Sequence, residues 1–100
     1  MIKRIVKLTF QQDKIEDFKT IFEQSKNLIR QRVGCSHVEL LQDIAKPNVF
    51  FTLSYWESKA DLEAYRQSEL FETTWAKTKV LFSDKPAAWS VIVVSIPDSM

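Results

Sequence analysis

The stretch from Phe50 to Trp75 changes between strand and helix patterns, and the rest of the chain has to fold around it. Its sequence is FFTLSYWESKADLEAYRQSELFETTW. An apolar strand ends on Trp56 and passes at once into a helix, and a second helical run begins at Ser68. Aromatic side chains are denser here than elsewhere in the chain. We therefore expect this stretch to supply one wall of any pocket and its largest side chain.

The N-terminal part of the sequence predicts a strand followed by an amphipathic helix. Apolar and charged residues alternate over residues 2–10, as they do in a half-buried strand. Asp13, with Glu16 three residues later, forms a capping-box pattern, and apolar side chains at helical spacing predict a helix over 14–32. Gly34, the only glycine, stands where a left-handed C-terminal cap would be needed.

The middle of the chain predicts a hairpin and two helical segments. Strand-like residues over 35–56 are divided by turn residues around Pro47, which indicates a β-hairpin with a loop of several residues. Ser58, with Asp61 three residues later, repeats the capping pattern. Ser68 can cap a second helix, whose apolar spacing continues to about residue 83.

The last element is a β-branched strand over residues 89–96, which completes the order β-α-β-β-α-β. With right-handed crossovers this order predicts one α+β domain over residues 1–100, a ferredoxin-like βαββαβ sandwich with an antiparallel sheet. Its helices cover only one face of the sheet. Because every strand also carries apolar residues for the other face, we predict a homodimer that buries this face.

The composition of the chain argues against several classes of function. The net charge is +1 and charges of both signs are interspersed, so there is no basic stripe for nucleic acid. No apolar run approaches the ~20 residues of a membrane span. Charges within residues 1–7 do not fit a signal peptide, so we predict a cytoplasmic protein. The single cysteine, Cys35, excludes an internal disulfide and suits a reducing compartment.

Three aromatic residues are the first candidates for a binding site. Trp56 stands where a strand enters a helix, and Tyr65 and Trp75 lie one on each helical segment. Such residues either anchor a helix to the sheet or form a pocket wall that stacks against a flat ligand. Spacing alone leaves both interpretations open.

His37 and Cys35 are the only residues of their kinds, and strand alternation places both on one face of the sheet. They are too few for a closed zinc site, so no metal is expected. His37 could act as a general base near neutral pH or be a hydrogen-bonded strand residue. Cys35 has no resolving cysteine and is expected to be a buried, inert thiol. Arg66 and Glu69 are interpreted as solvent-exposed charges.

The run FFTLSYWESKADLEAYRQSELF, preceded by GCSHVELLQD and a proline-containing turn, resembles the antibiotic biosynthesis monooxygenase (ABM) family over nearly the full chain. The matching positions are Gly34, Cys35, Trp56, Glu57, Ser58, Leu62, Ser68, Glu69, Leu70 and Phe71.

The resemblance implies a dimeric α+β barrel, in which two ferredoxin-like units join sheet to sheet and each has a pocket between sheet and helices. It also implies oxygenation of a small phenol or quinol by O2 with no metal, flavin or other cofactor. In that chemistry the substrate anion itself transfers an electron to oxygen, and the protein supplies a pocket and excludes water.

The resemblance also implies site residues. Trp56 matches the family's pocket tryptophan, and Tyr65 stands in the helical region where many members have a histidine. Catalytic roles are therefore implied for Trp56 and Tyr65, and for His37 if it faces the pocket. Phe71 and Trp75 join Trp56 and Tyr65 as expected substrate-binding residues.

Heme degradation is disfavoured within this resemblance. Heme-degrading relatives require an iron-ligating histidine on the helix that here carries Tyr65. They also have an asparagine on the first strand, where this chain has Lys7 and Thr9.

Three functions remain open at this point. The first is a cofactor-independent monooxygenase of a small aromatic substrate. The second is a non-catalytic dimeric protein of the same fold that binds a ligand or is associated with stress. In the third, the aromatic residues only form core.

Overall fold

The computed structural model describes residues 1–98, which form a four-stranded sheet and three α-helices. The predicted ferredoxin-like α+β fold is confirmed. Within the described residues no helix is long and apolar enough to cross a membrane. The elements in chain order are β1 (Ile2–Thr9), a 3-10 turn (Gln12–Lys14), α1 (Ile15–Arg30), β2 (Cys35–Gln42), β3 (Val49–Trp56), α2 (Lys59–Arg66), α3 (Glu69–Lys79) and β4 (Ala87–Val91).

The sheet has the strand order β2-β3-β1-β4, and all neighbouring strands are antiparallel. Alternate side chains of a strand point to opposite faces. On β1 the residues Val6 and Leu8 point toward the helices, whereas Lys3 and Lys7 point away. We call the helix-covered side the inner face and the opposite side the outer face.

One end of the inner face is closed by a phenylalanine cluster, which consists of Phe10, Phe18 and Phe50. Their exposed fractions are 0%, 3% and 1%. The Phe10 and Phe18 rings stack at 4.2 Å between centroids, and Phe18 meets Phe50 edge-on at 5.4 Å. Full burial of three aromatic rings makes this cluster a major source of hydrophobic stabilisation.

The other end is closed by a tryptophan cluster, which consists of Ile29, Cys35, Trp56 and Leu62. Trp56 is completely buried, and its indole Nε1 donates a hydrogen bond to Ser54 Oγ at 2.9 Å. The cluster joins α1 and α2 to the ends of β2 and β3.

The helix starts agree with the sequence prediction at two of three positions. Ser58 Oγ accepts from the Asp61 backbone N–H at 3.2 Å, and Ser68 Oγ accepts from the Phe71 backbone N–H at 3.2 Å. The prediction for Asp13 is wrong, since a 3-10 turn precedes α1 and no side chain caps the helix. The backbone bond from Lys14 N–H to the carbonyl of Gln11, at 3.0 Å, closes that turn instead.

Gly34 adopts the predicted left-handed conformation, with φ of +83°. It lies in the turn before β2 rather than at the cap of α1, because α1 ends at Arg30 and not at the predicted residue 32. An added Cβ at Gly34 would overlap the Asp61 carboxylate. Its carbonyl accepts the Glu57 N–H at 2.7 Å, so the turn brings the start of β2 close to the end of β3.

A β-bulge separates Cys35 from His37, which corrects the prediction that the two share a face. Cys35 pairs with Trp56 and His37 pairs with Tyr55, so Ser36 is the extra residue of β2. Because Trp56 and Tyr55 point to opposite faces, Cys35 lies on the inner face and His37 on the outer face.

The last helix and strand have different limits from those predicted. The helix α3 ends at Lys79, and the segment after it pairs with the end of β1 through a bridge between Phe10 and Phe82. The predicted strand over 89–96 begins earlier and ends at Val91, since β4 pairs only with residues 3–7 of β1. Beyond Val91 no neighbouring strand within the described residues supplies hydrogen bonds.

Candidate functional site

A cavity of about 350 Å³ lies between the inner face of the sheet and the helices. Strands β1 and β3 form its floor, α1 forms one side, and α2 and α3 form the other. This volume lies within the roughly 300–1,000 Å³ that is usual for small-molecule sites. Most lining residues are apolar, and the polar ones are Arg4, Ser25, Thr52, Ser54, Tyr65, Arg66, Thr74 and Thr78.

One side of the cavity is an aromatic row, which consists of Tyr65, Phe71 and Trp75. The ring centroids of Tyr65 and Phe71 are 5.4 Å apart and meet edge-on, and those of Phe71 and Trp75 are 5.8 Å apart and nearly parallel. All three residues line the cavity. The sequence predicted these three as substrate-binding residues, and the structure brings them together on one wall.

Trp56 is the exception among the predicted wall residues. It does not line the cavity, because it is completely buried behind Tyr65, with ring centroids 5.0 Å apart and an interplanar angle of 19°. Tyr65 is therefore stacked on one side against Trp56 and faces Phe71 on another. The largest side chain exposed to the cavity is Trp75 rather than Trp56.

Burial raises the pKa of Tyr65 to about 12, and the nearby Cys35 adds to the shift. At neutral pH the Tyr65 hydroxyl is therefore protonated and can donate a hydrogen bond. Its backbone is fixed by the start of α3, where Ser68 Oγ donates to the Tyr65 carbonyl at 2.6 Å. At neutral pH the Tyr65 hydroxyl can therefore donate a hydrogen bond but cannot act as a general base.

The polar end of the cavity is built around Arg4. One Nη of Arg4 donates to Ser90 Oγ at 3.0 Å. Partial burial lowers the pKa of Arg4, the charge of Arg66 lowers it further, and the charge of Glu63 opposes both. An arginine nevertheless remains charged at neutral pH. Arg66 itself is 3.4 Å from the Glu63 carboxylate.

Arg4 is the functional candidate that sequence reasoning missed. It is the only charged residue among the inner-face positions of β1, which otherwise carry Ile2, Val6 and Leu8. A charged residue in an otherwise apolar half of a strand was the available signal, since a charge on the core-facing side of a sheet needs a partner, access to solvent or a function.

His37 lies on the outer face and does not line the cavity. Its ring is 4.7 Å from that of Tyr55, and its Nε2 is 3.3 Å from Glu39 Oε1. The condition for a catalytic role, that His37 face the pocket, is not met within the chain. The bulge in β2 is the physical reason.

Cys35 is buried, and its Sγ lies 3.6 Å from the His37 carbonyl oxygen. Desolvation raises the pKa of its thiol, so the reactive thiolate is disfavoured. Among residues 1–98 no group of three or more histidine, cysteine or carboxylate side chains could hold a metal ion.

The sequence model of the antibiotic biosynthesis monooxygenase family matches residues 1–77. The chain therefore belongs to the ABM family, whose members are typically dimeric. No curated protein matches the sequence.

Several solved structures have the same fold. An antibiotic biosynthesis monooxygenase superposes with a TM-score of 0.89 at 18% identity, covering 95% of this chain and 100% of its own. A proposed member from Nitrosomonas europaea has a TM-score of 0.88 at 17% identity, with 95% and 100% covered. A proposed member from Bordetella bronchiseptica has a TM-score of 0.84 at 23% identity, with 94% and 97% covered. At these identities the similarity shows the fold alone.

Proposed function

We propose that the protein is a monooxygenase that oxidises a small phenol or quinol with O2 and without a metal or flavin. The observation that supports this most is the cavity of about 350 Å³ walled by Tyr65, Phe71 and Trp75 in a chain of the ABM family. Its aromatic wall suits a flat ring, which would stack on or meet these side chains edge-on.

The substrate supplies the electrons in this reaction. Its ionised form transfers one electron to O2, the two radicals combine to a peroxide, and loss of water leaves a carbonyl. One oxygen atom enters the substrate, the other leaves as water, and the substrate loses two hydrogens. Tyr65, which stays protonated, donates a hydrogen bond to the substrate oxyanion, and Trp56 holds the Tyr65 ring in place.

The cavity offers no general base among the residues that the structure describes. Within residues 1–98 no carboxylate or imidazole lines it. Substrate ionisation therefore depends on the substrate's own pKa. Across a series of substituted hydroquinones, the pH at which oxygen uptake rises should follow the phenol pKa of each substrate. One shared inflection near pH 6–7 for all substrates would instead indicate a base on the protein.

Oxygen uptake with hydroquinones and polyphenols, in the presence of a chelator, tests the proposal. Tyr65→Phe removes the proposed hydrogen-bond donor and should lower turnover about 10- to 100-fold. Thr73→Val is the control, because it removes an exposed hydroxyl on α3 that does not line the cavity. If Tyr65→Phe leaves turnover unchanged while circular dichroism shows a folded protein, Tyr65 has no part in the reaction.

The alternative function is binding of an aromatic ligand without catalysis, and the lack of a base in the cavity is the observation that favours it. It predicts saturable quenching of tryptophan fluorescence by aromatics with no oxygen uptake. The wild-type protein alone distinguishes the two functions if both measurements use the same compounds.

We further propose that the chain works as a homodimer through the outer face of the sheet. Trp89, Val91 and Leu41 are 48%, 40% and 44% exposed, which a lone chain would leave in water. Leu53→Glu places a charge on a central strand of this face and should give a monomer in sedimentation, whereas Lys59→Glu on α2 should not. A Leu53→Glu protein that sediments like the unchanged protein would contradict this interface.

A further inference from the structure

A row of polar residues crosses the sheet floor at one end of the cavity. Arg4 on β1 pairs with Ser54 on β3 and with Ser90 on β4, so the three lie side by side. Arg4 and Ser54 line the cavity. Ser54 Oγ already accepts the Trp56 indole N–H, so its own O–H is free to donate, and Arg4 has only donors. This end of the cavity therefore offers hydrogen-bond donors and positive charge.

Arg4 forms no ion pair within the described residues, although the charge of Glu63, which is paired with Arg66, acts on it as well. No carboxylate there lies within ion-pair distance of its guanidinium, whose hydrogen-bond partner is the neutral Ser90 hydroxyl. The other charged lining residue, Arg66, is also positive. Arg4 is partly buried; this burial and the charge of Arg66 lower its pKa, whereas the charge of Glu63 raises it. Two arginines and one carboxylate leave this end of the cavity with a surplus of positive charge, which an anionic ligand would balance.

From these contacts we propose that the cavity takes an aromatic carboxylate, with the carboxylate bound by Arg4 and Ser54 and the rings lying against the aromatic row. The planar guanidinium fork suits the two oxygens of a carboxylate better than the single oxygen of a phenolate. This inference rests on the proposed function and narrows its substrates to those that carry an acid group besides the ring that is oxidised.

The cavity floor also has the polarity and length for such a ligand. Inner-face residues of β1 change from Arg4 through Val6 to Leu8, and Phe18 closes the far end. At ~3.3 Å per strand residue, Arg4 and Leu8 are about 13 Å apart along the strand, which suits two or three fused rings with one acidic end. The acid group would thus set the orientation of the bound ligand, with its acidic end at Arg4.

The test uses 2-naphthoate, its methyl ester and 2-naphthol, with dissociation constants from calorimetry and tryptophan fluorescence at pH 7. The acid should bind about 10- to 100-fold more tightly than the ester, and Arg4→Gln should remove that difference. Arg4→Lys, which keeps the charge but not the fork, should retain part of it. Lys59→Gln on the exposed surface of α2 is the matched control for loss of one charge.

Equal binding of acid and ester to the unchanged protein overturns the inference, as does an absence of saturable binding by the acid. Tighter binding of 2-naphthol than of the acid, lost in Arg4→Gln, assigns Arg4 to the phenol oxygen and also overturns it. The acid-to-ester ratio of the unchanged protein remains decisive if Arg4→Gln does not fold.

Failure of this inference and failure of the proposed function are distinguishable. Naphthoate has no oxidisable hydroxyl and tests binding alone. Oxygen uptake with a dihydroxynaphthalene, with and without a carboxylate, tests the reaction. If oxygen uptake does not depend on the carboxylate, the monooxygenase proposal stands and the proposed carboxylate site at Arg4 is wrong. If the acid binds in an Arg4-dependent way but no oxygen is consumed, the carboxylate site at Arg4 stands and the monooxygenase proposal is wrong.

Discussion

The phenylalanine cluster and the aromatic row use the same kind of side chain on the same face of the sheet, yet one is closed and the other is open. Phe10, Phe18 and Phe50 are nearly without exposure and touch each other in a compact group. Tyr65, Phe71 and Trp75 touch in a line and leave about 350 Å³ beside them.

The difference comes from where the rings are attached. The phenylalanine cluster draws one ring from each of three segments, namely β3, α1 and the residue after β1, so they converge. The aromatic row comes from α2 and the successive turns of α3, so its rings follow the helix and cannot converge. The rings of the row therefore border the cavity one after another, although Trp56 of β3 stacks on Tyr65 at one end of the row.

The largest expected effect is a difference in stability between variants of the phenylalanine cluster and variants of the aromatic row. Phe50→Ala should lower the free energy of unfolding by about 3–5 kcal/mol, because the cluster cannot collapse around the lost ring. Phe71→Ala should cost about 1–2 kcal/mol, because its ring already borders a cavity. Urea denaturation followed by circular dichroism measures both. Equal losses would mean that the aromatic row is ordinary core and that the cavity closes in solution.

A substitution at Gly34 tests how closely the turn beside the tryptophan cluster is packed. Gly34→Ala should cost about 2–4 kcal/mol, since the left-handed backbone disfavours a Cβ and the new methyl group meets Asp61. Adding Asp61→Ala should recover the part due to the overlap. A single variant with unchanged unfolding free energy would contradict the close packing of this turn.

The pH dependence of stability reports on Tyr65. Its folded pKa of about 12 lies above the ordinary value of 10.0, so the unfolded chain ionises first as pH rises. The Tyr65 contribution is fully present below pH ~10 and is lost between ~10 and ~12. With a discount for residual solvent screening, Tyr65→Phe should remove about 1–2 kcal/mol of the fall in unfolding free energy over that window.

The difference between the unchanged protein and Tyr65→Phe isolates this titration. An alkaline slope that Tyr65→Phe leaves unchanged would contradict the burial of the Tyr65 hydroxyl. An ultraviolet titration of the phenolate absorbance checks the same point directly, since the late ionisation of Tyr65 should be absent from the Tyr65→Phe protein.

The smallest effect concerns the start of the helix that carries the row. Ser68→Ala removes the hydroxyl that accepts the Phe71 N–H and should cost about 1 kcal/mol of unfolding free energy. Asp13→Ala is the control, because Asp13 caps no helix here, and it should change stability by less than about 0.5 kcal/mol. A larger loss of unfolding free energy for Asp13→Ala would support the capping box that the sequence predicted.

Much of the fold could be predicted from local patterns, and most of the site could not. The caps at Ser58 and Ser68 and the left-handed Gly34 depend on neighbours in sequence, and all three conformations are as predicted. The ends of β4 and α3 depend on how far β1 and the residue after it supply backbone pairing partners. A local sequence pattern does not contain that information.

The site shows the same division. Tyr65, Phe71 and Trp75 could be selected as aromatic residues at helical spacing, and they line the cavity. Trp56 could not be placed correctly, because whether a ring faces a cavity or stands behind another ring depends on packing between α2 and the sheet. His37 was misplaced because a one-residue bulge reverses alternation and has no sequence signature here.

The sequence by itself determined the order of elements, the two serine-capped helices and the set of aromatic residues available for a wall, because these follow from periodicity and short-range hydrogen bonds. Only the tertiary structure decided that Phe10, Phe18 and Phe50 close one end of the sheet. It also decided that Arg4 and Ser54 meet in the floor of the cavity. Those choices depend on strand register and on rings from distant segments, which become neighbours only after folding.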